Sequence, residues 1–138
     1  YVAQIGDSRV YIGNGEDELF VALTKDHSMV AEMAENGLIT PEEARLSKEK
    51  NVLTRCIGVM REVRADYYSG SIKNGDYFVI CSDGFCSGTL PVQVVESMGV
   101  AIEDPQFSDN SLDAAVASRR AAGERDNITA VLVAVDWE

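Results

Sequence analysis

Asp83, Asp126 and Asp7 are the residues whose surroundings could carry chemistry. Asp83 follows the apolar run Tyr77-Phe-Val-Ile-Cys81 and precedes Gly84. Asp126 lies in Gly123-Glu-Arg-Asp-Asn-Ile128, just ahead of a second apolar run that reaches Val135. Asp7 follows Gly6 between two β-type runs. Each falls at the end of a strand expected to be buried, where a carboxylate is costly unless paired or bound to a metal. Strand ends distant in sequence can meet in space, and three carboxylates meeting there would repel unless a cation neutralised them. Hard oxygen donors without His or Cys favour magnesium or manganese (Mg2+ or Mn2+) over zinc or copper. The alternative is that each Asp is a turn residue whose side chain bonds the nearby backbone. For Asp7 alone the turn role is the stronger. For Asp83 and Asp126 spacing leaves the two roles evenly matched.

The elements that would hold these residues can be read from local chemistry. Residues 2–5 and 9–12 are short β-type runs separated by Gly6-Asp7-Ser8, which predicts a hairpin. Asn14-Gly15 is a turn signal, and residues 18–23 read as a third strand. Ser28 can cap a helix that runs through Asn36 and stops at Gly37. Thr40-Pro41-Glu42-Glu43 is a helix start with a hydroxyl cap, Pro at the first position and Glu at the third. Residues 51–58 predict a buried strand or an ordered loop, and 63–72 alternate loosely. Asn74-Gly75 turns the chain into residues 76–82, apolar enough for a central strand covered on both faces. Thr89 is expected to cap a helix with Pro91 in its first turn. Ser111 is expected to cap another that Gly123 closes, and 128–135 form the last strand. Strands outnumber helices and helices fall between them, which predicts an α/β or α+β chain.

Length and charge narrow the function classes. The 138 residues are 46% hydrophobic and 25% charged, enough for one domain, 1–138, with a real core. The longest apolar run is far short of the roughly 20 residues of a membrane span. Twelve basic against 23 acidic residues give a net charge of -11, a field that repels nucleic acid and anionic membranes. That excess suits a divalent cation, although most acidic surfaces are simply solvated. Cys56, Cys81 and Cys86 are odd in number and have no C-x-x-C spacing. A disulfide framework and a structural zinc site both fail, and a reducing, cytoplasmic setting is the economical expectation. Tyr1 opens directly on a strand, which predicts a chain cut within a larger domain.

Five segments then resemble one family in order and spacing. They are Gly6-Asp-Ser-Arg9, Thr24-Lys-Asp-His-Ser28, Asn51-Val-Leu-Thr-Arg-Cys-Ile-Gly58, Ser82-Asp-Gly84 and Asp126-Asn-Ile-Thr129. Together they are similar to the metal-dependent protein phosphatases of the 2C type, and to the C-terminal part of that catalytic domain only. The resemblance implies an α+β fold in which two antiparallel sheets form a β-sandwich flanked by helices (αββα), here without its N-terminal portion. It implies hydrolysis of phosphoserine and phosphothreonine in a phosphoprotein substrate by metal-activated water. It makes Asp83 and Asp126 metal ligands, puts Asp7 near an additional metal, and gives Gly6, Gly84 and Asn127 the support of the metal loops. An earlier Asp-Gly pair and a phosphate-holding Arg of the family do not precede Tyr1. Ser47-Lys-Glu-Lys50 stands where the family often has His-Pro, in its flap region.

Other residues read as structural. His27 suits a hydrogen-bonding role better than that of a general acid. Arg55 suits an ion pair, Cys81 and Cys86 suit packing, and Arg119-Arg120 suit a solvated helix face. Two function classes follow. One is the C-terminal part of a serine/threonine phosphatase, inactive as this stretch alone. The other is a non-catalytic phosphatase-like module that binds a partner or self-associates. On either reading the chain is expected to pair with the missing N-terminal segment or with itself.

Overall fold

A computed structural model describes residues 1–14, 19–59, 61–87, 89, 91–97 and 111–137. They form two compact units, Tyr1–Ser8 with Thr24–Ser69 and Arg9–Leu23 with Gly70–Glu138. Antiparallel strands and flanking helices make the class α+β.

In the first unit, β1 (Val2–Gln4) pairs antiparallel with β4 (Asp66–Tyr68), Val2 opposite Tyr68 and Gln4 opposite Asp66. Two helices begin where the side chains predict. Ser28 Oγ accepts from Ala31 N at 3.3 Å and starts α1 (Met29–Glu35). Gly37, at φ 70°, ends it, because Leu38 N donates to Met33 O and Gly37 N to Ala34 O. Thr40 and Glu43 bond each other's backbone N–H, a complete capping box ahead of α2 (Pro41–Leu46). Residues 51–58 form a loop, joined to the cap residue by one bridge, Ser28 to Leu53. The loop is not buried: Ile57 is 78% exposed.

The second unit is a four-stranded sheet in the order β3 (Leu19–Ala22), β2 (Arg9–Asn14), β5 (Asp76–Cys81), β6 (Ala130–Ala134). All three pairings are antiparallel, with Tyr11 opposite both Ala22 and Val79, and Val79 opposite Leu132. Among the described residues three helices accompany it: α3 (Asp83–Cys86), α4 (Pro91–Ser97) and α5 (Ser111–Ala121). Tyr11, Tyr77, Val79, Cys81, Phe85, Cys86, Val94 and Ala115 form the core. Tyr11 and Tyr77 both stack on Phe20, at centroid distances of 5.4 and 5.8 Å. Gly13 must lack a side chain, since a Cβ there would lie 2.2 Å from Tyr77 Cζ.

Three expectations are corrected here. First, β1 and β2 are not a hairpin. They belong to different sheets, because the backbone of Gly6 is bonded to His27 rather than across a two-strand ladder. Second, β5 is not covered on both faces. Tyr77, Val79 and Cys81 are buried, while Ile80 on the opposite face is 43% exposed. Successive side chains of a strand point to opposite faces, so an apolar run can still have one face open to water. Third, Ser111 lies within α5 rather than ahead of it as its cap. The turn expected at Gly15 lies outside the described residues. So does residue 90, next to the expected cap Thr89.

Candidate functional site

The turns that carry Asp83 and Asp126 meet at one end of the four-stranded sheet. The ladder ends at Cys81 opposite Ala130. Beyond it the two segments stay together, because Ser82 N donates to Thr129 O at 2.9 Å. The Ser82 hydroxyl joins them twice more, accepting from Thr129 N at 3.1 Å and donating to Asn127 O at 3.2 Å. Gly84 allows this approach: a Cβ on it would lie 2.3 Å from Asn127 O and 3.4 Å from Asp126 Cβ. Two carboxylate-bearing turns are thus pressed side by side at a position where only glycine fits.

Each carboxylate is fixed by its own turn. Asp83 Oδ1 accepts from Gly84 N at 2.8 Å, and Asp126 Oδ1 accepts from Asn127 N at 2.7 Å. The Asp126 turn is also held from behind. Glu124 Oε1 accepts from Arg125 N at 2.8 Å and from Asp126 N at 3.0 Å. Its other oxygen lies 3.5 Å from Arg119 Nη2. Gly123, at φ 93°, ends α5 with Glu124 N donating to Arg119 O and Gly123 N to Arg120 O. Arg119 is therefore not on a solvated face, with only 19% of its side chain exposed. Arg120 is exposed, as expected.

Asp7 belongs to the first unit. Its turn begins at Gly6, at φ 102°. Gly6 N donates to His27 Nδ1 at 3.1 Å, and His27 N donates back to Gly6 O at 2.9 Å. Since Nδ1 accepts, the ring proton sits on Nε2 and is donated to Asp66 Oδ2 at 3.1 Å. Arg55 Nη1 donates to Asp66 Oδ1 at 2.6 Å. These two bonds, the one from His27 first, hold the Asp66 carboxyl below the usual carboxylate range. His27 and Arg55 thus take the structural roles expected of them.

Among the described residues, no group of three or more His, Cys, Asp and Glu is arranged to hold a metal. What the second unit offers is two carboxylate-bearing turns packed side by side, without a soft ligand. That donor set fits part of the shell of a hard divalent cation. Cys81 and Cys86 are buried packing residues, and none of the three cysteines is in a disulfide. Sequence reasoning missed Asp66, Glu124 and the bridging hydroxyl of Ser82. Asp66 sits in a loosely alternating stretch with no motif, so its link to His27 had no local signal. Glu124 had one: it follows the glycine that closes α5.

No protein-family model matches the chain. It is 35% identical over 136 residues to protein phosphatase PhpP of Streptococcus pneumoniae, covering 99% of this chain and 53% of that protein. It is 30% identical over 135 residues to serine/threonine phosphatase stp of Listeria monocytogenes, covering 98% and 51%. Among solved structures it matches the PPM Ser-Thr phosphatase MsPP of Mycobacterium smegmatis, in complex with cacodylate. The TM-score is 0.78 at 30% identity, over 96% of this chain and 54% of that one. The catalytic domain of the phosphatase PstP, solved with two manganese ions, matches with a TM-score of 0.68 at 26% identity, over 94% and 50%. The chain spans about half the length of the curated relatives it matches. It is a relative of the 2C-type (PPM) protein phosphatases and corresponds to the C-terminal part of their length.

Proposed function

We propose that the chain carries the C-terminal part of one catalytic domain of a metal-dependent serine/threonine protein phosphatase, acting on phosphoserine and phosphothreonine in phosphoproteins. The observation that supports this most is the closure of the Ser82-Asp83-Gly84 and Asp126-Asn127 turns over Gly84. On this reading Asp83 and Asp126 are ligands of Mg2+ or Mn2+, and Asp7 lies near an additional ion. Gly6, Gly84 and Asn127 shape the loops. When bound, such ions polarise the phosphoryl group and lower the pKa of water. The chain's own part is to hold two carboxylate-bearing turns together at one end of a sheet through the Ser82 hydroxyl and the close approach at Gly84. Three cysteines, none of them in a disulfide, fit the cytoplasmic setting proposed from the sequence.

In the family resemblance, the phosphate-holding Arg and further metal ligands lie outside the matched stretch. The 138-residue chain with manganese and a phosphoserine peptide is therefore expected to release no phosphate above the metal blank, because an unpositioned substrate forfeits orders of magnitude in rate. Sustained manganese-dependent release that Asp126→Ala abolishes would show that this stretch alone completes the site.

One observation favours a second reading, a self-associating phosphatase-like module. Val21, Ile80, Val131 and Val133 are 42–48% exposed and share one face of the four-stranded sheet. Burying that face against a second copy would remove apolar area from water. Sedimentation equilibrium is expected to show a dimer or larger species for the isolated chain. A monomer across a hundredfold concentration range would rule this reading out.

A further inference from the structure

His27 is buried, 3% exposed, and both of its ring nitrogens are hydrogen bonded. A histidine that only filled core space would not need its ring to accept from the backbone N–H of a turn glycine. Here the backbone N–H and the Nδ1 of the same residue take the O and the N–H of Gly6. Gln4 secures the far side of the turn, its Nε2 donating to Ser8 O at 2.8 Å and to Gly6 O at 3.3 Å. Both neighbours of Asp7 are thus tied to buried side chains. The Gln4 Oε1 is buried without a hydrogen-bond partner among the described residues. The His27 ring is in turn held by Asp66, opposite Gln4 in the β1–β4 register, and Arg55 clamps Asp66 from the 51–58 loop. The 51–58 loop and β4, both distant in sequence, are therefore linked to the Gly6-Asp7 turn through His27. A turn that only reversed the chain would be served by ladder bonds, which Gly6 does not have.

We infer that His27 is a positioning residue for the Asp7 carboxylate, with Asp66 and Arg55 fixing its ring. The inference rests on the reading of Asp7 as a residue beside an additional ion. Ligands for small hard cations must be held within a fraction of an ångström, and hydrogen-bonded supports behind them do this in metal sites generally.

The test is amide NMR of the 138-residue chain, reading Gly6 hydrogen exchange and manganese-induced broadening of the Asp7 amide. His27→Leu is expected to speed Gly6 exchange at least tenfold relative to Val79. It should also reduce the Asp7 broadening to the level of Asp7→Asn. His27→Asn keeps an acceptor near the place of Nδ1 and should restore both in part, which a purely space-filling role would not allow. If His27→Leu does not fold, Asp66→Asn carries the test, with smaller changes of the same sign. Unchanged Gly6 exchange in the folded variant would overturn the positioning role. Faster Gly6 exchange in a chain whose Asp7 amide manganese never broadens would overturn the ion reading of Asp7 instead, so the two failures are distinguishable.

Discussion

Gly84→Ala is expected to lower stability by about 3 kcal/mol, the upper end of the cost of overpacking, and the melting temperature by roughly 10 °C. The added Cβ would fall 2.3 Å from Asn127 O and 3.1 Å from its carbonyl carbon. Both atoms are backbone and have no rotamer to retreat into. Relief requires the Asp126-Asn127 turn to move away from α3. That movement breaks the bonds of Ser82 to Asn127 and Thr129. Against a total stability of about 5–15 kcal/mol the loss is large. Gly37→Ala is the control. Its φ of 70° penalises alanine, but nothing lies within 4 Å of the added atom, so only the left-handed backbone cost of about 1–2 kcal/mol applies. Chemical denaturation of both variants measures the difference. A Gly84→Ala chain no less stable than the Gly37→Ala chain would mean that the two carboxylate turns are not packed as described.

What could be read from the sequence, and what could not, divides along the range of the interactions. The Thr40–Glu43 capping box and the Ser28 cap were legible because donor and acceptor lie within three residues. Gly37, Gly75 and Gly123 were legible because their positive φ is a local demand. The β1–β2 hairpin was misread because strand pairing is set by distant partners. β1 finds β4 some sixty residues away, and β2 finds both β3 and β5. The covering of β5 was misread because an unbroken apolar run hides its period. From Tyr77 to Cys81 no polar residue marks the face that Ile80 leaves exposed.

The site divides in the same way. Asp83 and Asp126 could be singled out from where they stand relative to strands, and the structure brings their turns together through Gly84. Asp7 could be named but not placed, since it belongs to the other compact unit. The partner of Arg55 was invisible, because nothing in Arg64-Ala-Asp66 distinguishes an ion-pairing Asp from a solvated one. Glu124 stands inside Gly123-Glu-Arg-Asp-Asn-Ile128, where its sequence context does not separate a cap from a solvated charge. A side chain that caps its own following backbone is easily taken for surface charge.

Asp83 and Asp126 are proposed to act as one cation site, and calorimetric titration of the chain with manganese tests this most directly. The comparison is with Asp83→Asn/Asp126→Asn. The amide keeps an oxygen to accept from Gly84 N and Asn127 N, so the turns stay formed while both charges are lost. Unit charges about 4 Å apart near a protein surface interact by about 4 kcal/mol, before screening. A tenfold loss of affinity per carboxylate, about 1.4 kcal/mol each, is a modest share of that. The double variant is therefore expected to bind manganese about a hundredfold more weakly than the parent chain, with an unchanged unfolding midpoint in the absence of metal. Equal affinity in the two proteins would place the ion on the general acidic surface of this -11 chain and contradict the proposed centre.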